Sequence, residues 1–375
     1  MDKGQQIGFL GWIKRGILAE CLLAVGLAAV LIVQKGGSAA RESASSNVLT
    51  IENDYIKWVD FTVSYEALCK AYDWDVKTHG KEHEICWVEL LAYTAARTGG
   101  TFDKNALKIM DKAAKSLSEG DKTIEDLTCD MKYYAYYREA YDAAIGGLVG
   151  EYQAEGKTVY GLKGYFPLAQ GFDYTHYDDF GVSRSYGYKR QHLGHDMMGL
   201  VGTPIIAVES GYVEALGWNQ YGGWRIGIRS FDGKRYYYYA HLRQNYPYAE
   251  GLEEGSVVTA GDVIGYMGHT GYSTKENVNN IEVTHLHWGL QLIFDESQKE
   301  GNNEIWIDIY PLTRFLAKHT QPAAKVEGTK EWKRTTDIVD PAVEEYEAGN
   351  SEKLKTPAKE NSLENNHIVG NEPEQ

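Results

Sequence analysis

Thiols, cations and the common serine-based catalytic signatures are what this chain has little of. Its four cysteines, Cys21, Cys69, Cys86 and Cys129, include no Cys-x-x-Cys pair, which excludes a disulfide scaffold and a thiolate zinc site. Cys21 lies in an apolar run, so three cysteines remain, enough for one pair that the sequence does not assign. Lys and Arg number 38 against 53 Asp and Glu, a formal net charge of -15. That balance excludes nucleic acid as a partner, because phosphate binding draws on a basic excess. No serine has lysine three residues later, which removes the serine D,D-peptidase reading, and neither HExxH nor GxSxG occurs. Disorder is excluded as well: the chain is 43% hydrophobic and carries 28 Tyr and 9 Trp, too much aromatic surface to leave solvated. The tyrosines suit sheet faces and polar ligands of the sugar or peptide kind, and ordinary Tyr-rich β-structure accounts for them equally well.

The 375 residues suffice for two domains plus tails. Residues 1–15 are expected on the cytoplasmic side, with Lys3, Lys14 and Arg15 ahead of an apolar run in residues 16–34 whose only charge is Glu20. This run reads as a single-pass membrane anchor with the bulk of the protein extracellular and facing the cell wall. The rival is a cleaved signal peptide and secretion, with Ser38-Ala39-Ala40 offered to a peptidase. The long leading segment and the Lys35-Gly36-Gly37 stop favour the retained anchor. Residues 35–49 form a linker.

Residues 50–155 carry helical periodicity, over Tyr65 to Tyr72, Cys86 to Arg97, Lys104 to Leu117 and Thr123 to Leu148. Thr123 and Asp126 are spaced as a capping box. This stretch reads as an all-helical spacer domain of unknown role, through which protein partners could dock. Its Glu89 reads as a solvated or paired helix carboxylate and not as a glycosidase acid, and His79 and His83 as a surface loop. From Gly161 the pattern changes to glycine-punctuated, β-branched and aromatic runs. Strands are expected at Thr203 to Val208, Tyr212 to Trp218, Trp224 to Phe231, Lys234 to His241, Val257 to Ala260, Asp262 to Met267 and His285 to Phe294. Asp232-Gly233 is a two-residue, type I′ hairpin signal, and Pro311 to Lys318 a closing helix. The fold class is therefore α+β: a membrane helix, the helical spacer, then an antiparallel sheet domain with a groove over residues 160–320. Residues 321–375, rich in Lys, Glu, Pro, Asn and Thr, read as a disordered polar tail.

Chemistry concentrates in two stretches, Arg190 to Asp196 (RQHLGHD) and Thr284 to Trp288 (THLHW). His192 and Asp196 offer one nitrogen and one oxygen ligand. His285 and His287, two apart in a strand, share a face. Two imidazoles and one carboxylate bind zinc and leave a tetrahedral position open, as a hydrolytic zinc requires.

The HxGxD stretch, the YAHL segment at Tyr239 to Leu242, the GxxGxTG turn at Gly265 to Gly271 and the HLH triplet at 285 to 287 occur in that order. Together they resemble the lysostaphin-type, or LytM-type, zinc endopeptidases of the M23 family over roughly residues 170–315. The resemblance implies that His192, Asp196 and His287 hold one zinc ion, and that His241 and His285 hold and polarise the attacking water. It implies hydrolysis of peptide bonds of bacterial peptidoglycan. The alternative within the same fold is a metal-free scaffold or activator of other wall hydrolases, which is expected to have lost a ligand; here all three are present. His195 is expected to point away from His192 and not to bind metal, His176 to be a polar loop residue, and His269 a groove contact at most. Arg190 is a candidate to orient Asp196 or a substrate carboxylate, or simply a solvated cation. This chain departs from the family in an extra loop, Lys275 to Val283, placed near the groove mouth, and in Thr284 and Trp288 where proline and phenylalanine are usual. The loop bears on substrate choice and not on the metal.

Overall fold

The computed structural model describes residues 55–185, 189–299, 301 and 303–355. The expected cytoplasmic segment, the anchor at residues 16–34, the linker, and the tail beyond residue 355 with its His367 lie outside the described residues. Among the described residues no helix is long and apolar enough to cross a membrane.

Five helices come first: α1 (Tyr65–Thr78), α2 (Trp87–Thr98), α3 (Lys104–Ser118), α4 (Ile124–Thr128) and α5 (Tyr134–Ile145). Ser64 and Asp103 cap α1 and α3 with side-chain oxygens, and the Thr123 and Asp126 capping box closes in both directions at 2.9 and 3.2 Å. The single helix expected over Thr123 to Leu148 is instead two. Three-residue bonds from Met131 N to Thr128 O and from Tyr134 N to Met131 O tighten the chain between them. Glu89 on α2 pairs with Arg138 at 3.2 Å, and His79 stacks on Tyr160 at 3.4 Å. Cys69, Cys86 and Cys129 are all free thiols, so no pair forms among the three.

A hairpin follows, β1 (Val149–Ala154) with β2 (Lys157–Leu162), then β3 (Thr175–His176) and a second hairpin, β4 (Ser183–Ser185) with β5 (Lys189–Gln191). Next come β6 (His195–Met198), β7 (Pro204–Ile206), β8 (Gly211–Asn219), β9 (Gly223–Ser230), β10 (Arg235–Ala240), β11 (Val257–Val258), β12 (Val263–Tyr266), β13 (His285–Leu292) and β14 (Ile305–Trp306). The main antiparallel sheet runs in the order β11-β8-β9-β10-β13-β6-β3, with β14 against β13, and β12 pairs with β7 apart from it. The strands thus fall where alternation placed them, within a residue or two. The turn between β9 and β10 differs. Gly233 N–H donates to Ser230 O at 2.9 Å, and Gly233 is at φ 75° while Asp232 is not in the left-handed region. This is a longer turn closed by one left-handed glycine, since a type I′ pair needs two positive φ values.

The expected helical spacer is not separate from the sheet. The described residues from Tyr55 to Lys355 belong to one compact unit, and one hydrophobic core includes Leu90, Leu91 and Tyr141 from the helices with Leu290, Leu292 and Phe315 from the β region. Phe315 lies on α6 (Tyr310–Leu316), close to the closing helix expected there, where it meets Tyr72 at 5.5 Å and Trp87 at 5.9 Å. Arg235, fully buried on β10, donates to Asp142 O and Ala143 O near the end of α5 and pairs with Glu209 at 2.7 Å. A cation at a helix C-terminus is favourable, and the carboxylate offsets the cost of burying it.

The expected disordered tail is also corrected for its described part. Residues 323–355 form β15 (Ala323–Lys325) paired with β16 (Trp332–Arg334), β17 (Ile338–Val339) paired with β1, and α7 (Pro341–Lys355). Ile338 packs with Tyr152, Tyr165 and Ile206, and buried Asp340 takes Ser210 Oγ at 2.7 Å and Lys163 Nζ at 3.1 Å. Polar composition misled because few apolar side chains do this packing and the buried acids are internally paired.

Candidate metal centre

Strand register assembles the site. On β13, His287 stands directly opposite Asp196 of β6 on one side and Ala240 of β10 on the other. Two strands 4.7–4.9 Å away on either side therefore bring Asp196 and the residue after Ala240, His241, to the same ring. His285, two residues back on the same face, is opposite Met198. His192 precedes β6 and is held by its backbone, with N–H to Val182 O at 3.0 Å and C=O to Gly181 N at 2.8 Å, which continues the β4–β5 hairpin.

His192 Nε2, Asp196 Oδ1 and His287 Nδ1 form a triangle with sides of 3.0, 3.0 and 2.9 Å. These three residues form the group able to hold a metal ion among the described residues. His192 Nδ1 lies 3.1 Å from Asp179 Oδ1 and 3.3 Å from Asp179 O. Both are acceptors, while Arg184 Nη2, a donor, is also 3.3 Å away; in the tautomer that donates Nδ1–H to Asp179 O, Nε2 presents a lone pair to the triangle. Asp196 Oδ2 is engaged by Arg184 Nη1 at 2.7 Å, which leaves Oδ1 aimed inward. Arg184 also grips Asp179 through Nη2. Burial lowers the His287 pKa, with Asp196 opposing. A buried carboxylate and two imidazoles are a donor set suited to zinc. Gly194 completes the fit: a Cβ there would sit 2.5 Å from His287 Cε1 and 2.9 Å from Trp288 O, so the ring packs down on bare backbone.

Two further imidazoles flank this corner. His241, at φ 62°, directs Nδ1 to Thr270 O at 2.9 Å, and His285 directs Nδ1 to Val283 O at 2.8 Å. A carbonyl only accepts, so both Nδ1 atoms are donors and both Nε2 atoms keep lone pairs. His285 Nε2 lies 3.7 Å from Asp196 Oδ2, and the two rings are 4.7 Å apart. Burial, then His285, push the His241 pKa well below its ordinary value, so this ring is neutral at physiological pH.

A groove of about 420 Å³ opens over this corner, walled by Tyr221, Tyr238, Tyr272 and Trp306, with Arg184 and Glu304 on its rim. A larger surface groove of about 710 Å³, between residues 249–264 and 331–334, is lined by none of these histidines.

The remaining candidates fall elsewhere. His195 is buried and faces away from the triangle, with Nε2 2.9 Å from His176 Nδ1; burial, then His176, push its pKa down to about 3. His176 is not in a loop but on β3, where His195 and Tyr310 enclose it. His269 anchors the inserted loop through Nδ1 to Ile281 O at 2.8 Å. The cation beside Asp196 Oδ2 is Arg184; the side chain of Arg190, singled out from the motif, lies outside the described side chains. Neither Arg184 nor Asp179 belongs to the HxGxD pattern. The only sequence signal for them is an alternating stretch ahead of it, which places a basic residue on the partner strand of a hairpin.

Comparisons with known proteins bear on residues of this site. A family model described as Peptidase family M23 matches residues 190–300. The L-Ala--D-Glu endopeptidase of Bacillus subtilis (strain 168) is 36% identical over 154 residues, 41% of this chain and 44% of that protein. Lysostaphin of Staphylococcus staphylolyticus is 37% identical over 89 residues, 24% of this chain and 18% of that protein. The match thus spans less than half the length of either relative. A solved lytM structure from Ruminococcus gnavus ATCC 29149 aligns with 70% of this chain and 91% of its own, at 24% identity and a TM-score of 0.46.

Proposed function

We propose, from the match of residues 190–300 to a model of peptidase family M23, that this protein is a zinc-dependent endopeptidase that cuts peptide bonds of bacterial peptidoglycan. The observation that carries the proposal is the triangle of lone-pair donors on His192, Asp196 and His287, 2.9–3.0 Å on a side. These three residues would hold the ion. Zinc bound there supplies a Lewis acid for the scissile carbonyl and lowers the pKa of water toward neutrality.

The protein's own groups do the rest. Asp179 fixes the His192 tautomer and Arg184 fixes the Asp196 rotamer, so the ligands are oriented before metal or substrate arrives. His241 and His285, each with Nδ1–H tied to a carbonyl, present Nε2 to the nucleophilic water. They orient it, accept its proton and return the proton to the departing amine. His241, held neutral by burial, is in the protonation state a base requires. The tyrosine and tryptophan walls hold an extended peptide across the strands and exclude water from the reacting bond. Relatives named for L-Ala--D-Glu and for lysostaphin activity support a wall peptide as substrate. Placement outside a membrane, anchored or secreted, rests on the apolar run of residues 16–34.

Turbidity loss on purified cell walls tests this reading. Wild type is expected to clear walls, and His285→Ala to lose clearing by at least about 100-fold, the scale of general acid–base catalysis. A His285→Ala protein that clears as fast as wild type contradicts the assigned role.

A further inference from the structure

Besides the histidines, two charged side chains line the groove, Arg184 and Glu304. Arg184 is committed to Asp196 and Asp179. Glu304 is different. It is exposed, and its Oε2 accepts the indole N–H of Trp306 at 2.7 Å, a neutral donor that orients the carboxylate without cancelling its charge. Other acids of this region are paired, Glu214 with Lys299 and Glu296 with Arg229. Among the described residues Glu304 makes no ion pair.

The aromatic wall continues from it. Trp306 meets Tyr238 edge-on at 6.1 Å, and Tyr238 meets His287 edge-on at 6.0 Å. A path of rings therefore links a fixed carboxylate to the metal corner. A carboxylate beside an aromatic face is a recognition site for an ammonium on an aliphatic stem: charge-assisted hydrogen bonds hold the head and ring faces attract it. A chain of net charge -15 also favours approach of a cationic group.

We propose that Glu304 is a specificity-determining residue that binds a primary ammonium of the substrate peptide, so that the groove selects wall peptides carrying a free amine near the bond to be cut. This rests on the endopeptidase reading and narrows its substrate. The amine comes either from the side chain of a diamino residue or from a free chain end.

The test separates binding from cutting. Zinc-stripped protein, which does not cut, is sedimented with insoluble peptidoglycan before and after acetylation of the wall's amines, using wild type and Glu304→Gln. Glutamine keeps an acceptor for the Trp306 indole, so the wall of the groove stays in place. Wild type is expected to bind native walls about tenfold more tightly than acetylated walls, and Glu304→Gln to bind both at the weaker level. A Glu304→Gln protein that retains the full preference for native walls overturns the proposal, as does a wild type with no preference. Competition by alanine pentapeptides with one lysine, acetylated either at the side chain or at the chain end, tells which amine is read: the peptide that stops competing carries the modified group. Failure of zinc-loaded protein to clear walls would count against the endopeptidase reading and leave the binding result interpretable on its own.

Discussion

At the scale of single residues, the metal corner was legible in part. His192, Asp196 and His287 are close in the fold because β13 pairs with β6 in a register that sets His287 opposite Asp196, and a motif of two histidines and an acid foretells such convergence. The cation behind Asp196 was not legible. Arg184, which holds Oδ2 at 2.7 Å, stands eight residues ahead of the motif's first histidine, His192. Which residue of a hairpin crosses over to a ligand depends on its register, and the motif carries no register. Arg184→Ala is therefore expected to leave the fold intact and weaken zinc binding 10- to 100-fold, the usual loss when a residue orienting a ligand is removed. Competition with a chromophoric chelator measures it. Unchanged affinity would make Arg184 a surface cation with no part in the site.

At the scale of elements, the strands were readable because alternation on a half-buried sheet leaves period two in the sequence. The loop Lys275 to Val283 was recognisable as an insertion but not as a fixed structure, since its order comes from partners distant in sequence. Asn277, at φ 60°, accepts from Trp224 Nε1 at 2.9 Å and from Asn245 N at 2.9 Å. It donates to Asn245 Oδ1 and accepts from Gln244 Nε2 at its carbonyl, both at 2.6 Å. Asn280 ties the same loop to Tyr272 O at 2.7 Å, and Tyr272 is a groove wall. The loop is thus a pinned wall and not a swinging lid. Asn277→Ala frees it, so KM is expected to rise about tenfold with kcat changed little, because the wall binds substrate before and during the reaction alike. A drop in kcat at constant KM would place the loop's role in the chemical step.

At the scale of the whole molecule, the sequence suggested separate domains and a loose tail, and the described residues from Tyr55 to Lys355 form one body. Amphipathic periodicity shows that a helix buries one face and does not show against what. Here α1, α2 and α5 bury theirs in the same core as the sheet, and β17 from the supposed tail extends the β1–β2 hairpin. The pH dependence of unfolding has a definite sign for one partly buried group. His319 Nδ1 donates to Gly164 O at 2.9 Å and its ring stacks on Tyr165 at 4.0 Å. Burial lowers its pKa, with the Gly164 bond opposing. Its folded pKa therefore lies below the unfolded value of about 6.5. As pH falls through about 6.5 the unfolded chain takes up a proton that the folded chain refuses, so stability is lost on acidification, by no more than about 1.4 kcal/mol per pH unit for this group. Urea midpoints from pH 7.5 to 5 are expected to fall for wild type and to fall less for His319→Gln. Equal slopes would assign the acid sensitivity to other groups.

The central claim, that His192, Asp196 and His287 share one ion with a corner left for water, is tested most directly by zinc content after dialysis of wild type, His285→Ala and His287→Ala. One zinc per chain is predicted for wild type and for His285→Ala, and none for His287→Ala. Zinc retained by His287→Ala, or absent from wild type, would contradict it.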